Sequence, residues 1–140
     1  MEEIILRGRK IVGGRVEGEA LVSHQDIGYW AAVDPATGVF VETNHELEGI
    51  NVAGKILVYP TGKGSTVGSF ALYNMAKCKT APKGIINIRA EPITAVGAII
   101  SSIPMVDQLD DDPTKVIRTG DYVELDADQG IVKIISSDNG

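Results

Sequence analysis

The chain has 140 residues, 44% hydrophobic and 23% charged, the size and make-up of one compact domain (residues 1–140) that needs neither disulfides nor a structural metal to fold. A net charge of −6, with Arg7-Gly8-Arg9-Lys10 as the densest basic stretch, argues against a nucleic-acid partner. The single cysteine, Cys78, excludes an intrachain disulfide and a cysteine-held cluster or zinc; it fits a reducing cytoplasm, and no apolar run approaches the ~20 residues of a membrane span.

Met1-Glu2-Glu3 lacks the basic start of a signal peptide. Ile4-Ile5-Leu6 reads as a short strand, and the basic stretch after it as a solvated strand edge or turn. Arg15 to Val22 alternates Val16, Gly18, Ala20 and Val22 with Glu17 and Glu19, the period of a strand. Gly13-Gly14 between these runs is a hairpin signal. Asp26 to Trp30 is a loop with the one tryptophan. Asp34-Pro35-Ala36-Thr37-Gly38 is a turn, and Val39-Phe40-Val41 a short strand.

Gly54 to Tyr59 is an apolar strand stopped by Pro60. A glycine- and hydroxyl-rich loop follows, from Pro60 to Ser69. Val67 to about Cys78 has helical character, with Ser65 or Thr66 available as a cap. Gly84 to Ile88 is a buried strand, and Pro92 opens a second short helix from Ile93 to Ile103. Ile103 to Val106 is another strand, Asp110-Asp111-Asp112-Pro113 an acidic turn, and Gly120 to Leu125 with Ile131 to Ile135 a C-terminal hairpin. The tail 136–140 is polar and expected to fray. The expected class is α/β: short mixed strands with about two helices, a βαβ unit over Lys55 to Ile88 and antiparallel outer segments.

The chemistry points to the loop. Strand, glycine loop and helix in that order bring backbone N–H groups and the positive end of a helix dipole together, beside Lys63 and the hydroxyls of Ser65, Thr66 and Ser69. Two familiar patterns fail. A P-loop needs G-x-x-x-x-G-K-[ST], and here Lys63 precedes Gly64. The elbow G-x-S-x-G does not match Lys63 to Val67, and only His24 and His45 could serve as base, neither with a sign of a catalytic role. Two readings stay open: a well-capped βα turn, or a place where a substrate anion or a serine alkoxide is stabilised.

Lys63-Gly64-Ser65-Thr66-Val67-Gly68-Ser69, then Ala81-Pro82-Lys83-Gly84-Ile85-Ile86, then Ala90 to Ile100 resemble the small swivel subunit of aconitase X. Glu17 to Val22 and the Val33 to Gly38 turn resemble it too, so the likeness runs from about Gly8 to Val132. The resemblance implies a swivelling β/β/α domain and a larger aconitase X-type partner subunit that holds a [4Fe-4S] cluster through its own cysteines, with none bound by this chain. It implies a hydro-lyase whose open iron is the Lewis acid for the leaving hydroxyl.

Two activities belong to the family: dehydration of (R)-5-phosphomevalonate in the archaeal mevalonate pathway, and dehydration of cis-3-hydroxy-L-proline. The run Ser65-Thr66-Val67-Gly68-Ser69 resembles the first form. Ser65 is by resemblance the base. Lys63, Gly64, Thr66 and Arg89 are the candidates for binding a phosphorylated or carboxylated substrate, and Glu91 is expected to be structural or to touch the partner. A non-catalytic swivel or interaction module is the competing class. An apolar face around Trp30 or Met105 is the expected subunit contact.

Overall fold

The computed structural model describes residues 3–63 and 67–135. Eight strands and three helices follow one another as β1 (Glu3–Arg7), β2 (Arg9–Val12), β3 (Arg15–Val22), β4 (Ile56–Tyr59), α1 (Gly68–Lys77), β5 (Gly84–Asn87), α2 (Pro92–Ser101), β6 (Met105–Asp107), α3 (Pro113–Val116), β7 (Tyr122–Asp126) and β8 (Ile131–Ile135). Strands lie in the order β1-β8-β7-β3-β4-β5-β6-β2. The β3-β4-β5-β6 block is parallel, and the pairs β3–β7, β7–β8, β1–β8 and β2–β6 are antiparallel. The two ends of that order are joined in sequence, because β1 and β2 are one strand bent at Gly8. The sheet is therefore folded back on itself.

Side-chain alternation divides the molecule into layers. Ala20, Val22, Ile56, Val58, Ile86 and Val106 point inward against Leu6, Val123, Leu125, Val132 and Ile134 of the antiparallel half. Their neighbours Leu21, Leu57, Tyr59, Ile85 and Met105 point the other way, toward α1, α2 and the long segment between β3 and β4. The result is β on β on α. On the helical side Leu72 and Met75 anchor α1 and Ala98 anchors α2, all at most 1% exposed; fully burying a Leu or Met is worth about 1.5–3 kcal/mol. Gly97 brings the helices close: a Cβ there would sit 3.2 Å from the Ser69 Cα and from Leu72.

Several expectations are corrected. Gly13-Gly14 is not a hairpin: β2 pairs with β6 and β3 with β7 and β4, so consecutive strands enter different parts of the sheet. Val39 to Val41 makes only isolated bridges, Val33 with Phe40 and Val39 with Asn51. α3 is an extra turn of helix, with Asp112 accepting from the Thr114 N–H at its start. The N-cap position of α1 is Val67, whose side chain makes no capping bond, and the expected caps Ser65 and Thr66 lie outside the described residues. Met105 is fully buried, whereas Trp30 is 61% exposed. The C-terminal hairpin and the βαβ unit β4-α1-β5 form as expected, and β5-α2-β6 is a second such unit. No helix of the described residues is long and apolar enough to cross a membrane.

Candidate functional site

The candidate loop leaves the carboxyl end of β4, in the middle of the parallel block, where βα loops of such sheets converge. Its first arm is firmly held. The Ile27 N–H donates to the Thr61 carbonyl at 3.2 Å and the Lys63 N–H to the Ile27 carbonyl at 3.1 Å. Pro60 receives the N–H groups of Ile88 and Arg89, at 2.9 and 3.1 Å, which ties the loop root to the segment after β5.

That segment begins α2, and its cap is unusual. Glu91, in extended conformation just before Pro92, accepts from Ile93 N–H at 2.8 Å and Thr94 N–H at 3.0 Å, and from the Thr94 hydroxyl at 3.1 Å. Pro92 at the first helical position costs no hydrogen bond. Gly62 lies against this cap. A Cβ there would overlap Thr94 Oγ1 and sit 2.7 Å from Glu91 Oε1, so only glycine lets the loop backbone lie on the start of α2.

Beneath the loop is a buried polar cluster. The hydroxyls of Tyr29 and Tyr59 are 2.9 Å apart, and Asn87 Nδ2 donates to the Tyr59 carbonyl at 3.2 Å. Burial pushes the Tyr59 phenol up to about 12, partly offset by polar contact with Tyr29, Asn87 and Thr94. Burial likewise raises Tyr29 well above the usual phenol value. Neither is a base at neutral pH. Asn87 Oδ1 is buried without a hydrogen-bond partner among the described residues. Its register with Tyr59 puts that acceptor at the carboxyl end of the sheet, below the loop.

Of the residues singled out from the sequence, Lys63 and Arg89 flank the loop root. Lys63 Nζ forms an ion pair with Glu42 Oε2 at 2.9 Å, both partly exposed, so it is not an isolated loop cation. Arg89 is exposed and follows β5 by two residues. Gly64, Ser65 and Thr66 lie outside the described residues. Ser69 belongs to α1, and its hydroxyl donates to the Ile93 carbonyl at 2.6 Å, which commits it to helix packing rather than to the loop.

The histidines serve structure. His24 bonds Glu46 Oε2 through Nδ1 at 3.0 Å and the Thr114 carbonyl through Nε2 at 3.1 Å. Both partners are acceptors, so both ring nitrogens donate. The hydrogen bond and charge of Glu46 raise its pKa. His45 donates from Nε2 to the Asp26 carbonyl, accepts the Leu47 N–H at Nδ1 and packs on Phe40.

Sequence reasoning missed Glu42, the Tyr29–Tyr59 pair and Asn87. Glu42 lies 21 residues before Lys63 with no local signal. The Glu-Pro step before an apolar run did mark the start of α2. Cys78 is exposed at the end of α1, and no group of three or more His, Cys, Asp or Glu that could hold a metal is present among the described residues. The donor set of these residues does not fit an iron–sulfur cluster.

Comparison with known proteins places this geometry. The family model "Aconitase X swivel domain" matches residues 5–134. The chain is 50% identical over 129 residues to the phosphomevalonate dehydratase small subunit of Methanocella arvoryzae, covering 92% of this chain and 98% of that one. It is 46% identical over 140 residues to the protein of the same name from Methanosarcina mazei, covering 100% and 97%. Among solved structures, holo-form aconitase X of Thermococcus kodakaraensis superposes with a TM-score of 0.90 at 49% identity, covering 95% of this chain and 99% of that one.

Proposed function

Because the chain belongs to the aconitase X swivel-domain family, we propose that it is the small subunit of a phosphomevalonate dehydratase, completing an active site shared with a larger partner chain. The reaction is the loss of water from (R)-5-phosphomevalonate to give trans-anhydromevalonate 5-phosphate. The observation that carries this reading is identity of 46–50% to proteins of that name over nearly the full length of both chains.

Ser65 is the general base. Its oxygen takes the proton beside the substrate carboxylate, the C–H electron pair becomes the new double bond, and the hydroxyl leaves. A serine needs its alkoxide stabilised to do this, and the start of α1 supplies the positive end of a helix dipole. Lys63, Gly64 and Thr66 of the same loop and Arg89, two residues beyond β5, take the phosphate and carboxylate of the substrate. Lys63 exchanges Glu42 for the substrate anion as it does so. A [4Fe-4S] cluster would be held by the large partner chain and, when bound there, would supply a Lewis acid for the departing hydroxyl. The part of this chain is the proton and the anionic groups.

The test is anaerobic reconstitution with the large chain, assayed against phosphomevalonate and against cis-3-hydroxy-L-proline. Wild type is expected to dehydrate phosphomevalonate. Ser65→Ala is expected to lose about 10²–10⁴-fold in turnover, the usual contribution of a positioned base, while the complex still assembles. Full activity in Ser65→Ala sinks the base assignment, and turnover of hydroxyproline alone sinks the substrate.

A further inference from the structure

α1 and α2 present an outer face unlike the rest of the molecule. On α1, Phe70 is 69% exposed and Tyr73 40%; on α2, Val96 is 48%, Ile99 56% and Ile100 44%. These are the positions opposite the buried Leu72, Met75 and Ala98, so both helices are apolar on two sides. The face continues past Val67, 40% exposed, to Trp30, 61% exposed. Trp30, Val67 and Phe70 line an open groove of about 630 Å³ with Pro35 and Asn74.

Taking ~150–200 Å² per large side chain, the exposed apolar surface is on the order of 600 Å². That is most of the roughly 800 Å² per partner buried in a standard interface.

Charge sets the same face apart. α1 holds one base, Lys77, and no acid, and α2 holds no charged residue. All nineteen acids of this −6 chain lie outside these two helices.

We infer that the Trp30–Phe70 groove and the outer face of α1 and α2 form the seat of the large subunit, around an apolar contact with acidic groups at its rim. This rests on the dehydratase reading, which supplies the geometric reason. A substrate held between Ser65 and a partner's cluster requires the partner to lie against the surface bordering the loop. Val67 both ends the loop and begins this face, so the contact that completes the site continues onto it.

The experiment is co-purification and affinity measurement with the tagged large chain, using wild type, Phe70→Asp, Ile99→Asp and, as control, Ile5→Asp on the distant β1, where Ile5 is 51% exposed. Phe70→Asp and Ile99→Asp are expected to weaken assembly about tenfold or more, with Ile5→Asp at the wild-type value. Both altered residues are solvent-exposed, so the free variants should melt at the wild-type temperature, and two separate positions guard against one misfolding.

Wild-type affinity in both variants overturns the inference. So does a free wild-type chain that sediments as a dimer and is made monomeric by Phe70→Asp, because the occupant is then a second copy. Failure of wild type to bind any large chain overturns the dehydratase reading and this one together. A complex that is sensitive to Phe70→Asp but inactive on phosphomevalonate supports the seat and removes only the substrate.

Discussion

Gly62 is buried between the Glu91 carboxylate and the Thr94 hydroxyl, and those two groups are already bound to each other and to the first N–H groups of α2. Thr94 is β-branched and 5% exposed, so it cannot turn aside. Gly62→Ala should therefore displace either the cap or the loop arm that leads to Ser65. The expected cost is about 1–3 kcal/mol of stability, as for other overpacked sites. Reconstituted activity should fall by more than the loss of folded protein explains. Denaturation midpoints alongside turnover check this; an alanine enzyme with wild-type stability and turnover refutes it.

At this scale the sequence was informative where a residue acts through its own neighbours in the chain. Glycine, lysine and hydroxyls in one loop marked the place. It was silent where the partner is distant. Nothing near Lys63 announced Glu42, and nothing near Tyr59 announced Tyr29. Ser69 looked like one more loop hydroxyl because the turn of chain that puts it against the Ile93 carbonyl is a tertiary event.

At the scale of elements, α2 shows how little holds a helix when its side chains carry no charge. It has no acidic residue in its first turn and no basic residue in its last, so nothing within the helix complements its dipole. Glu91 is the polar anchor at its start. Glu91→Ala should cost about 1 kcal/mol, the usual value of an N-cap. Glu91→Asp, a shorter but preferred cap, should recover most of it in thermal unfolding. If Glu91→Ala is as stable as wild type, the capping role is wrong and the close approach of Gly62 to it needs another cause.

Strong periodicity made the elements legible: β3 has its observed ends in the alternation of Arg15 to Val22, and β7 and β8 in the two runs around Asp128. Gly13-Gly14 misled because a turn signal is local, whereas the choice of strand partner is not. Lys10 and Val12 found better company in Val106 and Met105 of β6 than in β3. α3 escaped notice because four residues carry too little pattern to register as a helix.

The whole molecule depends on closure. β1 and β2 belong to opposite ends of the strand order but to one stretch of chain, and the bend at Gly8 is where the folded sheet meets itself. Gly8 N–H donates to the Gly130 carbonyl at 2.8 Å. Gly130 has φ of +70°, and a Cβ on it would overlap the Gly8 carbonyl. The second lock is Asp107, whose side chain is fully buried. It receives Arg9 in two parallel hydrogen bonds of 2.9 Å and the Ala90 N–H at 2.7 Å. One carboxylate thus joins the edge strand β2, the end of β6 and the approach to α2. None of this was readable from sequence, where Arg9 stood in a basic stretch and its partner lies 98 residues away.

The closure has a pH signature. Burial pushes the Asp107 carboxyl up, but the hydrogen bond from Arg9, the Ala90 N–H and the Arg9 charge outweigh it and hold the group below its ordinary value of 3.8. A carboxylate depressed on folding stabilises the native state fully above its unfolded value, and that stabilisation is lost as pH falls through the folded one. Asp107→Ala should therefore lose about 2 kcal/mol at pH 7, from an orphaned Ala90 N–H and the missing ion pair. The gap to wild type should narrow as pH drops below about 3.8, where the unfolded chain takes up the proton, and go on narrowing until pH has fallen through the lower folded value. Urea denaturation of both proteins between pH 7 and pH 2.5 measures this. A gap independent of pH would mean that packing, and not the charge on Asp107, holds the two ends of the sheet together.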